Sequence, residues 1–359
     1  MTNTNQTLHL FISANTTGAE GAIHAYRLDL ETGKLQLLSR TSDAENPFFL
    51  ALSPDRQYLY AIHEPGQFGR GDNGQVAAYR IDAATGKLTL LNRQPTRGSA
   101  ACYVAVDASG RMLLAANYQN GTVLSYSIRP DGSLGEVVSF IQHEGASVNP
   151  ERQQEPHAHC FVISPDNRYA YSADLGLDKI MNYRLDAASA TLSPNRQPFV
   201  RTHPGAGPRH FIFHPQQPFA YAINELDNSV TMFDYDPTSG MLVEQQTIST
   251  IPDEFEGITH CADLKITPDG RFLYGTNRGH DSIVAYAIDS HGRLTLIGIE
   301  PSGAEQPQNL AITPDGRLLL CANMAGNRVV VLRIDPQTGH ISPTGQEASM
   351  PRPSCIMVR

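Results

Sequence analysis

The stretch "LAITPDGRLLLCANM", residues 310–324, decides the fold. Apolar residues alternate with others, the chain turns through Pro-Asp-Gly, and the alternation resumes, which is the pattern of a β-hairpin. The phrase recurs along the chain: "LALSPDRQYLYAIHE" (50–64), "VAVDASGRMLLAANY" (104–118), "FVISPDNRYAYSAD" (161–174), "FIFHPQQPFAYAINE" (211–225) and "LKITPDGRFLYGTNR" (264–278). Seven third strands accompany these hairpins: "AIHAYRLD", "QVAAYRID", "TVLSYSIR", "KIMNYRLD", "SVTMFDYD", "SIVAYAID" and "RVVVLRID". Most run through "TGKL", "DGSL" or "HGRL" into a fourth strand. The hairpins start between 46 residues apart (Leu264 to Leu310) and 57 residues apart (Val104 to Phe161).

Four antiparallel strands at that period predict the blades of a β-propeller. The chain has no Trp, so it is not a WD-repeat protein. Its ends set the count. "LHLFISAN" matches the second strand of a hairpin and has no first strand before it; "RPSCIMV" matches a first strand and has nothing after it. Six full blades and one blade shared by the two ends make seven, and the sharing removes two open sheet edges. We therefore expect an all-β, seven-bladed propeller in which residues 1–359 form one domain, although this length would by default suggest about two. The polar stretches 64–74, 143–155 and 252–260 read as loops.

Composition narrows the partners. A net charge of −9 argues against nucleic acid or an anionic membrane surface as a partner. No run of about 18 apolar residues could span a membrane, and "MTNTNQTLHLFIS" has neither the basic nor the long apolar region of a leader. The five cysteines are scattered and odd in number, which favours a reducing compartment, the cytoplasm, over a disulfide framework. A monomer or weak homo-oligomer is expected.

In a propeller the first strand of each blade lines the central channel. Its start and the end of the second strand lie on one face of the disc. On that face gather His157, His159, Arg209, His210 and His260 from first strands, and Glu64, Asn117, Tyr118, Glu225 and Arg278 from second strands. Asn recurs at the second-strand ends, as expected of a loop former. His157, His159, Arg209, Glu225, His260 and Arg278 instead break the repeat, and convergent polar groups at a channel mouth mark a ligand site. His157 and His159 share a strand face, a spacing that would also permit zinc.

The stretches "ACYVAVDASGRMLLAANYQNGTV", "EPHAHCFVISPDNRYAYSADLG", "GAGPRHFIFHPQQPFAYAINEL" and "ITPDGRFLYGTNRGHDSI" resemble the seven-bladed propeller lactonases. That family includes bacterial 6-phosphogluconolactonases and fungal 3-carboxy-cis,cis-muconate lactonising enzymes. The resemblance implies a catalytic set of His159, Arg209, Glu225 and Arg278. His157, His210, Asn117, Tyr118, His260 and Glu64 are then expected to bind substrate. It further implies a small anionic sugar lactone as ligand, 6-phospho-D-glucono-1,5-lactone above all, in the pentose phosphate pathway. The alternatives are a non-phosphorylated lactone, a muconate-type cycloisomerisation and a non-catalytic interaction platform. Neither cofactor nor metal is expected, since a δ-lactone opens readily. Glu225 and His159 are the candidate bases, Glu225 favoured because two arginines would keep it ionised.

Overall fold

The computed structural model describes residues 7–66 and 71–359. Residues 67–70 of the expected loop 64–74, and the first six of the amino-terminal stretch, lie outside the described residues. Seven four-stranded antiparallel sheets follow one another round a ring. We number these blades from the one that holds both ends. Blade 1 pairs Pro353–Val358 with Thr7–Ala14, followed by Ala22–Asp29 and Leu35–Thr41. Blade 2 begins at Leu50–Leu52, blade 3 at Ala101–Val106, blade 4 at Val162–Ile163, blade 5 at Pro208–Phe213, blade 6 at His260–Ile266 and blade 7 at Pro307–Ile312.

The repeated letters have a packing reason. The second-strand tyrosines Tyr60, Tyr171, Tyr221 and Tyr274 are fully buried. Their hydroxyls donate to the carbonyls of Gly132, Gly240, Gly292 and Gly339 in the outer turn of the next blade. Each of those glycines has φ between 71° and 84°. A Cβ on any of them would come within 2.6 Å of a Tyr, Phe or Met side chain of the preceding blade. The Tyr of one hairpin and the Gly of the next blade's outer turn ("DG", "SG", "HG" or "TG") are thus a docking pair, which pins blade to blade while apolar faces pack between them.

A second regularity positions the channel mouth. The inner strands do not pair evenly from their first residue. In blade 5, Pro208 faces Asn224 and His210 faces Ile223, which leaves Arg209 as an extra residue. Cys102 is skipped in blade 3, Gln308 in blade 7 and Ser354 in blade 1. In blade 4, Ala158 bridges Asp174 and Val162 faces Tyr171, so three residues oppose two. His159 follows the bridge as Arg209 follows Pro208. This corrects the expected blade 4 hairpin: its first strand is only two residues long. The Asp174 carboxylate takes the His157 N–H, so a side chain replaces the neighbouring strand as partner there. A β-bulge re-aims one side chain and bends the strand. Here the same bulge, repeated in several blades, turns Cys102, His159, Arg209 and Gln308 towards the mouth.

Candidate active site

Two register positions of the blades line a cavity of about 320 Å³ at the channel mouth. The bulge position contributes Cys102, His159, Arg209 and Gln308. Phe48 of blade 2 joins them, its N–H reaching Ile62 O as that of His159 reaches Ala173 O. The other position is the residue that follows the second-strand Asn or its equivalent. It contributes Asn15, Tyr118, Glu225, Arg278 and Met324. Ala100, Arg152 and Arg352 complete the wall.

Glu225 lies at the centre of the charge network. Its Oε2 accepts from Arg209 Nε at 3.0 Å and Arg278 Nη2 at 2.8 Å, and its Oε1 accepts from Arg152 Nη2 at 2.7 Å. Burial alone would raise its pKa, but Arg278, Arg209 and then the His159 and Arg152 side chains outweigh that and hold it far below the ordinary carboxylate range. Arg209 is 1% exposed, a buried cation at the channel mouth. Burial, and next the nearby Arg278, lower its pKa to about 10, which leaves it charged at neutral pH. Its Nη1 donates to Ala262 O at 2.5 Å and lies 3.2 Å from His210 Nε2. With Nε on Glu225, only Nη2 remains for the cavity. Arg278 has every nitrogen engaged, by His260 O, Gln308 Oε1, Cys261 O and Glu225.

His159 differs in kind. Its ring is 6% exposed and its Nδ1 has no hydrogen-bond partner. Burial first, then the charges of Arg209 and His210, push its pKa well below 6.5. It is therefore a neutral imidazole at neutral pH. The Tyr118 and His210 rings stand edge-on to it at 5.2 and 5.5 Å.

The structure brings His159, Arg209, Glu225, Arg278 and Tyr118 together at this cavity. The other expected binding residues do not line it. Asn117 is fully buried, and its Nδ2 donates to Thr96 O and Thr122 Oγ1. Asn224 and Asn277 likewise bond a hydroxyl at the start of the next strand in their blades. His157 stacks on Tyr118 with ring centroids 4.5 Å apart and buttresses it from behind. His210 points down the channel, where its Nδ1 meets Asp263 Oδ1 at 2.8 Å, so it backs Arg209. His260 offers its carbonyl to Arg278. Glu64 is fully buried in blade 2, away from the cavity.

Arg152 was missed. It comes from the polar loop 143–155, where no repeat exists to make it conspicuous. The loop is anchored by Asp178, whose carboxylate accepts from Ser147 Oγ, Gln153 Nε2 and the N–H groups of Gly205 and Gly207. Gln308 and Asn15 carry no charge that would single them out in the sequence. Arg352 sits just before the inner strand of blade 1, and the repeat gives no hint of it.

The family model described as "Lactonase, 7-bladed beta-propeller" matches residues 9–358. A 6-phosphogluconolactonase of Bacillus subtilis is 34% identical over 96% of this chain and 97% of its own length. Another, of Formosa agariphila, is 33% identical over 94% of this chain and 96% of its own. Among solved structures, the periplasmic gluconolactonase of Pseudomonas aeruginosa superposes with a TM-score of 0.92 at 34% identity, covering 98% of this chain and 99% of that one.

Proposed function

We propose that this chain, which belongs to the seven-bladed β-propeller lactonase family, hydrolyses 6-phospho-D-glucono-1,5-lactone at the cavity around Glu225. The observation that carries the reading is His159: a buried, neutral imidazole that lines the same cavity as a guanidinium with one nitrogen unspent. Water attack on the lactone carbonyl needs a proton acceptor and a partner for the oxyanion. His159 is available as acceptor at neutral pH. Glu225, held by three guanidiniums, is too weak a base, so we reverse the preference for Glu225. Its role is to fix the guanidiniums and to stabilise the imidazolium once it forms.

The steps balance without any further reagent. The water oxygen bonds to C1 as His159 takes its proton. Arg209 Nη2 meets the developing oxyanion, a contact that becomes strongest in the transition state. When the tetrahedral species collapses, the C1–ring oxygen bond breaks and His159 returns the proton to the leaving alkoxide. A depressed pKa makes the imidazolium a better acid for that second transfer.

The whole chain is read as one domain, and its five buried, unpaired cysteines support a reducing cytoplasm. Among the described residues no helix is long and apolar enough to cross a membrane. The gluconolactonase likeness supports a second reading, in which the same cavity opens a non-phosphorylated lactone. Both readings are tested by hydrolysis of 6-phosphogluconolactone and gluconolactone above the spontaneous rate, with His159→Gln as control. His159→Gln should lower kcat by about 10²–10⁴. A parent rate equal to spontaneous opening on both substrates would end the lactonase reading.

A further inference from the structure

The cavity wall holds four guanidiniums, of Arg152, Arg209, Arg278 and Arg352, and one carboxylate, Glu225. With His159 neutral, the lining has a surplus of three positive charges inside a chain of net charge −9. A carboxylate-free, neutral sugar lactone would offset only one of them, and only in the transition state. A phosphate monoester carries about −1.5 to −2 at neutral pH, and the oxyanion adds one more.

The surplus is not evenly spread. Arg152, Arg209 and Arg278 all bond Glu225. Arg352 forms no ion pair among the described residues. Its Nε donates to Asn15 O at 3.3 Å, and Nη2 has only the sulfur of Met324, at 3.8 Å. Its backbone is fixed in the left-handed region, φ 40°, with the N–H donating to Asn327 Oδ1. The arginine is thus held at the rim with its planar fork left for a ligand. It enters at blade 1, while Arg209 starts the inner strand of blade 5. In a ring of seven these stand on opposite sides of the channel.

We infer that Arg352 is the distal anion subsite, taking the phosphate of a sugar-phosphate lactone whose carbonyl lies at Arg209 and His159. The inference rests on the lactonase reading above and adds the residue that selects a phosphorylated substrate. In the 1,5-lactone C1 and C5 flank the ring oxygen and the phosphate stands out from C5 on the exocyclic C6–O6 arm, which lets it reach a wall other than the one that holds the carbonyl. Arg suits the task because its fork matches phosphate oxygens bidentately, whereas Lys offers a point charge.

The test compares two lactones and two products. Arg352→Gln should lower the ratio of kcat/KM for 6-phosphogluconolactone over gluconolactone by about 10- to 100-fold, the loss of a charged hydrogen bond. The change should fall mainly in KM, and Arg352→Lys should recover part of it. Calorimetric binding of 6-phosphogluconate relative to gluconate should shift by a similar factor, and this arm needs no turnover. If the parent hydrolyses neither lactone, the lactonase reading fails while the binding arm still judges Arg352. An unchanged ratio in both arms, or an equal loss for phosphorylated and unphosphorylated ligands, overturns the subsite.

Discussion

Replacing Glu225 by Gln keeps the shape of the side chain and removes the one negative charge that three guanidiniums share. The cost can be worked through by exposure. The Arg152 and Arg278 side chains are 33% and 23% exposed, so both can turn partly to water and lose about 0–1 kcal/mol each. The Arg209 side chain is 2% exposed and cannot. Removing one partner of a buried pair costs about 3–5 kcal/mol, because the other charge stays behind uncompensated. Arg209 therefore sets the scale. Unfolding entropy near 2.1 cal/mol/K per residue gives roughly 0.75 kcal/mol/K for this length, so Tm should fall by about 4–7 °C.

The assay is thermal unfolding of parent and Glu225→Gln, first at neutral pH and then in acid. The pKa of Glu225 is lower folded than unfolded, so its contribution is complete above the unfolded value of about 4.3. That contribution is lost only as pH falls towards the folded value. The gap between the two melting curves should persist at mildly acidic pH and close only in strong acid. A variant melting within about 1 °C of the parent at neutral pH would refute the reasoning. Arg209 would then have a route to water that its burial denies.

Two further outcomes follow from the same structure. Because the base must be neutral and burial lowers the pKa of His159 well below 6.5, kcat/KM for lactone hydrolysis should hold steady from about pH 8 down to pH 6; a fall centred near pH 6.5, where a free imidazole titrates, would exclude His159 as the base. Deleting residues 353–359 removes the inner strand of blade 1, in which Cys355 and Ile356 are at most 3% exposed and Ile356 N–H is held by Asn309 Oδ1; a truncated chain that stays monomeric and melts with the parent would contradict the closure of the ring.

The hairpins were readable because each carries its own reason in the sequence. Tyr171 needs Gly240 and Tyr221 needs Gly292, so the letters recur wherever one blade docks on the next. His159, Arg209, Glu225 and Arg278 were readable for the opposite reason, as departures from letters whose purpose is structural. Asn117 misled because a recurrent polar residue at a channel mouth looks like a ligand group until its amide nitrogen is seen to be spent on Thr96 and Thr122. Arg152 and Arg352 were silent because neither has a counterpart to depart from: one comes from a loop outside the repeat, the other from the junction where the ring closes. What no pattern of letters displayed was the bulge. It adds one residue to the inner strand without changing the hairpin phrase that follows, so alternation counted back from Phe211 and Phe213 passes straight through Arg209. Yet the bulge is what keeps Arg209 and His210 in contact. Without it, the alternation of a regular strand would set the two side chains on opposite faces by parity alone. With it, Arg209 turns up to Glu225 while His210 turns down to Asp263, and the two still touch through Nη1 and Nε2. The buried cation at the start of the strand is thus explained by backbone register: the extra residue carries the charge out of the apolar stack and onto the Glu225 carboxylate.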